Sequence, residues 1–415
     1  MKILLVGGGG REHALAKALT RDPLVTELHC APGNPGIGEL ATLHHVNLEI
    51  AAEIASLAYE LKVDLVVIGP EAPLVHGAAD AIKDLGIACF GPSKLAAQLE
   101  GSKDFAKKVM HAAGVPTAQS VTCHSIEEIE QALDQFGPPY VVKHDGLAAG
   151  KGVVVTHDRS AALHHATKSH RVVIEEYLDG PEISLFGISD GETVIALSPA
   201  QDFKRAYDGD EGPNTGGMGA YSPLNWAPSD LESETLEKVL KPTIKEMANR
   251  GTPFIGLLYA GLALTSQGLK VIEFNARFGD PETQALLPRL KTPLAKLLFA
   301  AATGSLKDFP ALEWSHESSV TVVLAAKNYP ESPVVGDEIN LPLQIASVEI
   351  FHAGTTDKDG TLRSNGGRVL SVTGMGTSLD EARHRAYAAL SQIRLFGSFY
   401  RNDIALKASQ LEKRL

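Results

Sequence analysis

The chain has 415 residues, of which 44% are hydrophobic and 21% are charged. These proportions are typical of globular proteins and exclude wholesale disorder, and at roughly 150 residues per domain the length predicts about three domains. Lysine and arginine (38) against aspartate and glutamate (50) give a net charge of −12. Because a negatively charged chain repels phosphate backbones and anionic lipids, we expect no nucleic-acid partner.

Cysteine usage and hydropathy indicate the cellular environment. Cys30, Cys89 and Cys123 lack C-x-x-C spacing, which indicates neither a disulfide framework nor a thiolate zinc site. The apolar run at residues 3–6 is too short for a signal-peptide core, and no stretch approaches 18 apolar residues. We therefore expect a cytoplasmic protein with no membrane partner.

The first hundred residues alternate strand and helix patterns. Short β-branched runs at residues 2–6, 64–69 and 87–90 are separated by helical stretches such as 49–61. This alternation is typical of βαβ units around a parallel sheet. The pattern predicts an N-terminal doubly wound parallel-sheet domain at residues 1–101.

Helix caps and short strands divide the remaining chain. Ser102 is predicted to cap a helix that ends at Gly114, and Ser125 with Glu128 forms a capping box for a helix that ends at Gly137. Strands predicted at 140–143, 153–156 and 172–175 complete a small α+β lid, about 118–184, inserted in a central unit at 102–318.

The last hundred residues predict a C-terminal α+β domain at 319–415. Its strands are expected at 320–326, 348–352 and 368–373, and a helix opened by Ser378 and Glu381 is expected to end near Ile393. The Gly/Pro-rich stretch 209–223 is interpreted as a functional loop. The fold class is therefore multidomain α/β and α+β.

A first glycine cluster, Gly7 to Gly10, follows a predicted strand and opens a helix. Backbone N–H groups in this position bind phosphate, and Arg11 comes next. The dinucleotide fingerprint G-x-G-x-x-G fails because Glu12 stands where its third glycine is required. A single phosphate site and a tight turn without a ligand both remain open.

A second glycine cluster, residues 145–152, lies between two predicted strands. It is not a P-loop, because only three residues separate its glycines and Gly152 follows Lys151. Either it folds over a triphosphate or it is a plain surface hairpin. Lys143 ends the preceding apolar strand, where it either meets an anion or snorkels to solvent. Together with Lys103, these lysines favour a phosphate clamp.

Residues 271–282 form the most specific local pattern. Because side chains alternate along a strand, Glu273, Asn275 and Arg277 share one face, while Ile272, Phe274 and Ala276 are expected to face the core. A carboxylate and an amide oxygen two residues apart suit Mg²⁺, and an arginine suits a carboxylate or phosphate. The alternative is a polar sheet face with one salt bridge.

In order and spacing, these motifs resemble the phosphoribosylamine–glycine ligases of the ATP-grasp superfamily over almost the whole chain. The resembling segments are 9–14, 31–34, 69–74, 100–103, 145–152, 212–223, 273–283 and 364–369. The resemblance implies a central ATP-grasp domain with an inserted lid, and a monomer. This sequence departs from the family pattern at three places. His144 stands where the family often has alanine, the stretch 161–171 is shortened, and residues 256–264 lack the acid that would bind a second metal.

The resemblance also implies site residues. ATP would lie between the lid and the central domain, Glu273 and Asn275 would bind Mg²⁺ or Mn²⁺, and Lys143, Lys151 and Arg277 would be catalytic. The nucleotide would be held by Lys103, Lys143, Gly146, Gly150, Lys151, Gly152, Glu175, Glu176, Leu178 and Glu182. The substrates would be held by Gly10, Arg11 and Glu12 for phosphoribosylamine, by Asp202 and Arg277 for glycine, and by Gly217.

The implied reaction is the ATP-dependent joining of glycine to 5-phospho-D-ribosylamine through a glycyl phosphate, a step of purine (IMP) biosynthesis. Three alternatives remain open at this stage. They are another ATP-grasp ligase or biotin-dependent carboxylase, a dinucleotide-dependent oxidoreductase, which Glu12 disfavours, and an ATP-binding regulator without turnover.

Overall fold

The computed structural model describes residues 1–147 and 152–414. Its N-terminal part is a five-stranded sheet in the order β3-β2-β1-β4-β5, with all pairs parallel, which confirms the predicted doubly wound domain. Helices on both faces bury its apolar strands. The elements are β1 (Lys2–Gly7), α1 (Gly10–Thr20), β2 (Glu27–Pro32), α2 (Pro35–Gly38), β3 (Thr42–Leu43), α3 (Ala51–Leu61), β4 (Leu65–Ile68), α4 (Glu71–Val75), α5 (Ala78–Asp84) and β5 (Ala88–Phe90).

Two helices lead into the lid, a four-stranded antiparallel sheet in the order β6-β9-β7-β8. The Ser102 hydroxyl accepts from the Phe105 N–H, and Ser125 accepts from the Glu128 N–H, as the cap signals predicted. Two helices and the sheet enclose a separate small core. The elements are α6 (Gln98–Gly101), α7 (Lys103–Ala113), β6 (Ser120–Cys123), α8 (Ile126–Phe136), β7 (Tyr140–His144), β8 (Val153–Thr156), α9 (Arg159–Ala166) and β9 (Val172–Glu175).

The central part is built on an antiparallel sheet in the order β11-β10-β16-β17. A bulge opposite Gly261 and Leu262 interrupts the alternation in the last of these strands, so Ile272, predicted to face the core, is only half-buried. The elements are β10 (Glu182–Asp190), β11 (Val194–Ala196), β12 (Gln201–Asp202), β13 (Arg205–Tyr207), β14 (Glu211–Asn214), β15 (Gly219–Ser222), α10 (Leu231–Thr235), a π-helical turn (Leu236–Leu240), α11 (Lys241–Asn249), β16 (Ile255–Thr265), β17 (Gly268–Asn275), α12 (Glu282–Leu286) and α13 (Leu294–Ala302).

The C-terminal part centres on a sheet in the order β12-β15-β18-β23-β20. It includes strands from before residue 319, so this sheet crosses the predicted boundary between the central and C-terminal domains. The interpretation of 209–223 as a loop was wrong, because β14 and β15 lie within it. The helix opened by Ser378 ends at Leu390. The elements are β18 (Ser318–Ala325), β19 (Ile339–Asn340), β20 (Val348–His352), β21 (Thr355–Lys358), β22 (Thr361–Ser364), β23 (Arg368–Gly376), α14 (Leu379–Leu390), β24 (Arg394–Leu395) and α15 (Leu406–Glu412).

Helix α1 connects the parts of the molecule. It starts at the carboxyl end of β1 and packs against α12, from the central part, and β20, from the C-terminal part. The first glycine turn, the end of β17 and the C-terminal sheet therefore meet in one region. Among the described residues, no helix has the length and apolar character needed to cross a bilayer.

The cap of α8 gives a stability prediction. Replacing Ser125 with alanine removes the acceptor for the Glu128 N–H and should destabilise the start of α8 by about 1 kcal/mol. Hydrogen exchange of the first-turn amides of α8 would report the change. Ser233→Ala, an exposed serine within α10, is the control. Equal exchange in the two variants would contradict the capping role.

Candidate active site

The first glycine turn is supported from below by Glu12. Its carboxylate accepts from the Gly9 N–H at 2.7 Å and from Arg11 Nε at 2.5 Å, and the residue is 1% exposed. A side chain at Gly69 would place its Cβ 2.0 Å from Glu12 Oε1. Glu12, the residue that breaks the dinucleotide fingerprint, thus fills the space beneath the turn. The N–H groups of Gly10 and Arg11 lie at the start of α1, where the helix itself provides no acceptor for them.

Arg277 lies between two carboxylates from the N-terminal part of the chain. Its Nε is 3.1 Å from Glu71 and its Nη2 is 2.9 Å from Glu100. Burial opposes ionisation of Glu71, but Arg277 and Arg11 outweigh it and lower its pKa to about 2. Burial raises the pKa of Glu100. Arg277 is therefore fixed in position at the end of β17.

Sequence reasoning missed Glu71 and Glu100 as site residues. Glu71 comes three residues after the buried strand β4, at the carboxyl edge of a parallel sheet, where ligand sites are commonly found. That placement is a signal that could have identified it. Glu100 opens the family-like segment 100–103 but has no such positional signal, because its partners, the Arg277 guanidinium and the Ala276 N–H, lie far away in sequence.

Glu273 and Asn275 lie on one face of β17, and both are half-buried. Among the described residues, no group of three or more histidine, cysteine or acidic side chains is arranged around a common metal position. A carboxylate and an amide oxygen nevertheless fit Mg²⁺, which usually keeps waters and substrate phosphates in its coordination shell. The donor set therefore fits a metal that is shared with a nucleotide.

Lys143 is buried, which excludes the snorkelling alternative. It is 4% exposed, and its Nζ donates to the Ile272 carbonyl at 3.0 Å and lies 3.1 Å from Glu175. Lys103 Nζ donates to the Gly146 carbonyl at 2.9 Å, and burial lowers the Lys103 pKa. The structure thus brings Lys103 to the second glycine cluster and holds Lys143 between β9 and β17.

Two predicted nucleotide residues of that cluster, Gly150 and Lys151, lie outside the described residues. Gly146 has φ +116°, a backbone conformation that favours glycine, and Gly152 is buried. His144 points away from Lys143, since its Nε2 lies 2.9 Å from the His165 carbonyl and its ring stacks on His165.

The predicted adenine-binding segment starts at the end of β9. Glu175 is 2% exposed, whereas Glu176 and Leu178 are half-buried. Glu176 accepts from the Gln119 N–H at 3.1 Å and lies 2.9 Å from Lys270 Nζ. These contacts fix the backbone at the point where the chain leaves the lid.

Lys204 pairs with Glu182 and acts electrostatically on Asp202. Lys204 Nζ lies 2.9 Å from Glu182 and lowers the pKa of that carboxyl. Burial raises the pKa of Asp202 to about 7, assisted by Glu282 and Glu182 and opposed by Lys204. Lys204 was missed by sequence reasoning, because its role depends on the pairing of β12 with β15 and its closeness to β10.

Gly217 lies in a loop that the C-terminal part holds in place. Arg368 Nη1 donates to the carbonyls of Gly216 at 2.6 Å and Asp280 at 2.8 Å. Asp280 directly precedes Pro281 and α12, whose Glu282 accepts from Ser184 at 3.2 Å. Arg368 therefore joins the loop before β15 to the segment that follows β17.

In the part of the site that the structure describes, charged groups are abundant and no activated sulfur nucleophile is present. All three cysteines are free and buried, and burial raises the pKa of the Cys89 thiol to about 12. Lysines, arginines and carboxylates instead surround the end of β17. This arrangement suits transfer chemistry in which the protein supplies position and charge.

Comparisons with known proteins cover almost the whole chain. Residues 1–100, 101–283 and 319–407 match the family models for the N domain, the ATP-grasp (A) domain and the C domain of phosphoribosylglycinamide synthetase. Two similar relatives are phosphoribosylamine–glycine ligases. That of Streptomyces coelicolor is 60% identical, with 99% of this chain and 100% of the relative covered. That of Corynebacterium ammoniagenes is 56% identical, with 99% and 98% covered.

Solved structures give the same architecture. Phosphoribosylamine–glycine ligase from Thermotoga maritima superposes with a TM-score of 0.86 at 33% identity, over 98% of this chain and 100% of that chain. A biotin carboxylase from Campylobacter jejuni has a TM-score of 0.75 at 15% identity, over 99% of this chain and 95% of that chain. The second likeness concerns the fold alone.

The raised pKa of Asp202 predicts a pH dependence of stability. An unfolded aspartate ionises near pH 4, whereas Asp202 in the folded protein ionises near pH 7, so rising pH favours the unfolded state between these values. The stability of the wild type relative to Asp202→Asn should therefore fall across this range, by an amount on the order of a few kcal/mol at roughly 1.4 kcal/mol per pKa unit.

Denaturant titrations of both proteins at successive pH values would measure this difference. Asp308→Asn, which removes an exposed aspartate after α13, is the matched control. If the stability difference between wild type and Asp202→Asn stays constant from pH 4 to pH 7, Asp202 does not titrate in that range.

Proposed function

The chain belongs to the phosphoribosylamine–glycine ligase family, and we propose that its buried charged residues have separate roles in the reaction. Its function is phosphoribosylamine–glycine ligation in purine biosynthesis. The observation that best supports these proposed roles is the position of Lys143. This buried ammonium group lies between Glu175 of the lid and the carbonyl of Ile272, next to the strand that carries Glu273 and Asn275.

The proposed chemistry activates glycine by phosphorylation. A glycine carboxylate oxygen attacks the γ-phosphorus of ATP, the bond to the bridging oxygen breaks, and ADP leaves. The amine of 5-phospho-D-ribosylamine then attacks the glycyl carbonyl carbon, loses a proton and expels phosphate, which gives glycinamide ribonucleotide. Closure of the lid would exclude water, which would otherwise destroy the acyl phosphate.

The nucleotide would lie between the lid and β17. Lys103 and Lys143 would contact its phosphates, together with Lys151 and the glycines at 146, 150 and 152. Glu175, Glu176 and Leu178 would meet adenine, and Glu182 the ribose. Mg²⁺ or Mn²⁺ bound to Glu273 and Asn275 would neutralise phosphate charge. The buried state of Lys143 supports this, because a buried ammonium group gains most from an anionic ligand.

The two other substrates would occupy the opposite end of the site. Gly10, Arg11 and Glu12 would form the phosphoribosylamine site, supported by the free N–H groups at the start of α1. Asp202 would accept the ammonium group of glycine, which would compensate the burial of that carboxylate. Arg277, fixed by Glu71 and Glu100, would orient the glycine carboxylate, and Gly217 would contribute backbone groups.

We also propose domain limits of 1–101, 102–318 with a lid at about 118–184, and 319–415. The lid limits are supported by its separate core. A cytoplasmic location is supported by the three buried free cysteines, because thiols stay reduced there. The proposed assembly state is a monomer, which a sedimentation measurement would check.

The metal assignment predicts the effect of Glu273→Gln. The variant keeps the shape of the side chain but loses the charge that would hold the metal, so turnover should fall by about 10²-fold with the fold intact. A coupled assay for ADP at saturating Mg²⁺ would measure it. Glu60→Gln, on the exposed side of α3, is the control. Near-normal turnover of Glu273→Gln would contradict the assignment of Glu273 as a metal ligand.

An isotope experiment tests the glycyl phosphate. Glycine labelled with ¹⁸O in both carboxylate oxygens should transfer one labelled oxygen to each phosphate released, because that oxygen forms the new bond to phosphorus. Neither simple ATP hydrolysis nor a phosphoenzyme hydrolysed by water makes this transfer. Mass spectrometry of the phosphate would detect it. Formation of the amide product with unlabelled phosphate would rule out the proposed intermediate.

A further inference from the structure

We propose that Lys107 is a positioning residue for the nucleotide phosphates, and that it acts through Glu175 on Lys143. Lys107 belongs to none of the motifs that identify the site. The proposal deepens the proposed function and rests on it in one respect, namely that Lys143 contacts phosphate.

Lys107 is one helical turn after Lys103 on α7 and is 9% exposed. Its Nζ contacts Glu175 Oε2 at 3.1 Å, Thr117 Oγ1 at 2.9 Å and the Ala118 carbonyl at 3.1 Å. An ammonium group has three N–H donors. Two of them donate to Thr117 and Ala118, and the remaining side of the group is paired with Glu175. Lys107 is therefore fixed, and no donor remains for a ligand.

Glu175 joins Lys107 to Lys143. Its second oxygen, Oε1, lies 3.1 Å from Lys143 Nζ, and the carboxylate is 2% exposed. Lys143 in turn donates to the Ile272 carbonyl. The three side chains form a continuous polar chain from α7 through the lid strands β9 and β7 to β17.

The chain lies where the polypeptide enters the lid. Thr117, which accepts from Lys107, donates from the same hydroxyl to the Val271 carbonyl at 2.6 Å. Lys107 therefore contacts both the first residues of the lid and the strand that ends it. The central sheet contributes Val271 and Ile272, which come just before the proposed metal ligand Glu273.

The charges of the three groups explain why a second lysine matters. One carboxylate between two ammonium groups leaves a net charge of +1, which faces the nucleotide through Lys143. Without Lys107, Glu175 and Lys143 would form a neutral pair, and in a poorly screened site the attraction of Lys143 for phosphate would weaken. Burial lowers the pKa of Lys107 and Glu175 raises it, so Glu175 also helps to keep Lys107 charged.

A purely structural role for Lys107 makes a different prediction. If Lys107 only held the lid to α7, its loss would disturb the adenine and phosphate ends of the site together. If it acts through the charge of Lys143, the effect should increase with the number of phosphates on the ligand. Ligands that differ only in phosphate content therefore separate the two roles.

The experiment compares Lys107→Met with wild type, using the full chain and titration calorimetry. The probes are adenosine, ADP and a non-hydrolysable ATP analogue, each with Mg²⁺. We expect about tenfold weaker binding of the triphosphate analogue, a smaller loss for ADP and no loss for adenosine. Lys108→Met is the matched control, because Lys108 is the next residue of the same helix, exposed and paired with Asp104.

A double-mutant cycle tests the path through Glu175. Adding Glu175→Gln to Lys107→Met removes the carboxylate that would neutralise Lys143. Because Glu175 also belongs to the proposed adenine segment, triphosphate binding is compared with adenosine binding by the same variant, and this ratio should recover relative to Lys107→Met alone. Independent roles would instead give additive losses and overturn the proposal. If Lys107→Met does not fold, Lys107→Gln replaces it in both arms, since glutamine can still donate to the Ala118 carbonyl.

The remaining outcomes are also decisive. Equal losses for adenosine and the triphosphate analogue would overturn the proposal in favour of a structural role. An equal effect of Lys108→Met would also overturn it, because loss of any positive charge on α7 would then weaken binding. Lys143→Met separates this proposal from the proposed function. If it leaves triphosphate binding unchanged, the phosphate role of Lys143 fails. If Lys143→Met weakens binding and Lys107→Met does not, only the role of Lys107 fails.

Discussion

The geometry of the site depends on the burial of the Arg277 guanidinium. A charged arginine in the interior requires partners, and here Glu71, after β4, and Glu100, on α6, supply them. Meeting these partners forces the carboxyl edge of the N-terminal sheet against the end of β17. Arg11 contacts the same assembly through the Phe278 carbonyl at 3.1 Å. The glycine turn and the strand with Glu273 and Asn275 therefore face one another.

The elements that sequence reasoning predicted are those governed by local chemistry. The caps at Ser102, Ser125 and Ser378 bond to N–H groups three residues away, and the apolar runs of β1, β7 and β9 need only burial. Strand pairing between segments that are distant in the chain cannot be predicted from local sequence. β15 pairs with β18, about a hundred residues later. This distant pairing makes part of the Gly/Pro-rich segment 209–223 a strand, although its composition predicted a loop. The bulge that leaves Ile272 half-buried is likewise set by the partner strand β16.

The same division explains which residues of the candidate site could be predicted from the sequence. Lys143, Glu273, Asn275 and Arg277 belong to motifs whose residue types already indicate chemistry. Glu71, Glu100 and Lys204 act through tertiary contacts, and a sequence does not state which of its many acids and lysines will be buried together. Glu12 is intermediate, because the sequence showed that it breaks a fingerprint, whereas only the structure shows it filling the space beneath the turn.

Buried charges in this site occur in chains rather than in isolated pairs. Two such chains are Lys107–Glu175–Lys143 and Arg11–Glu71–Arg277, in which one carboxylate serves two cations. A buried ion pair contributes little net stability, since desolvation offsets attraction, so stability does not account for this arrangement. A shared carboxylate does, however, hold both cations in place. In the lysine chain it leaves one positive charge uncompensated, whereas the two arginines also pair with Glu12 and Glu100. Cations fixed in this way can align anionic substrates and stabilise a transferring phosphoryl group.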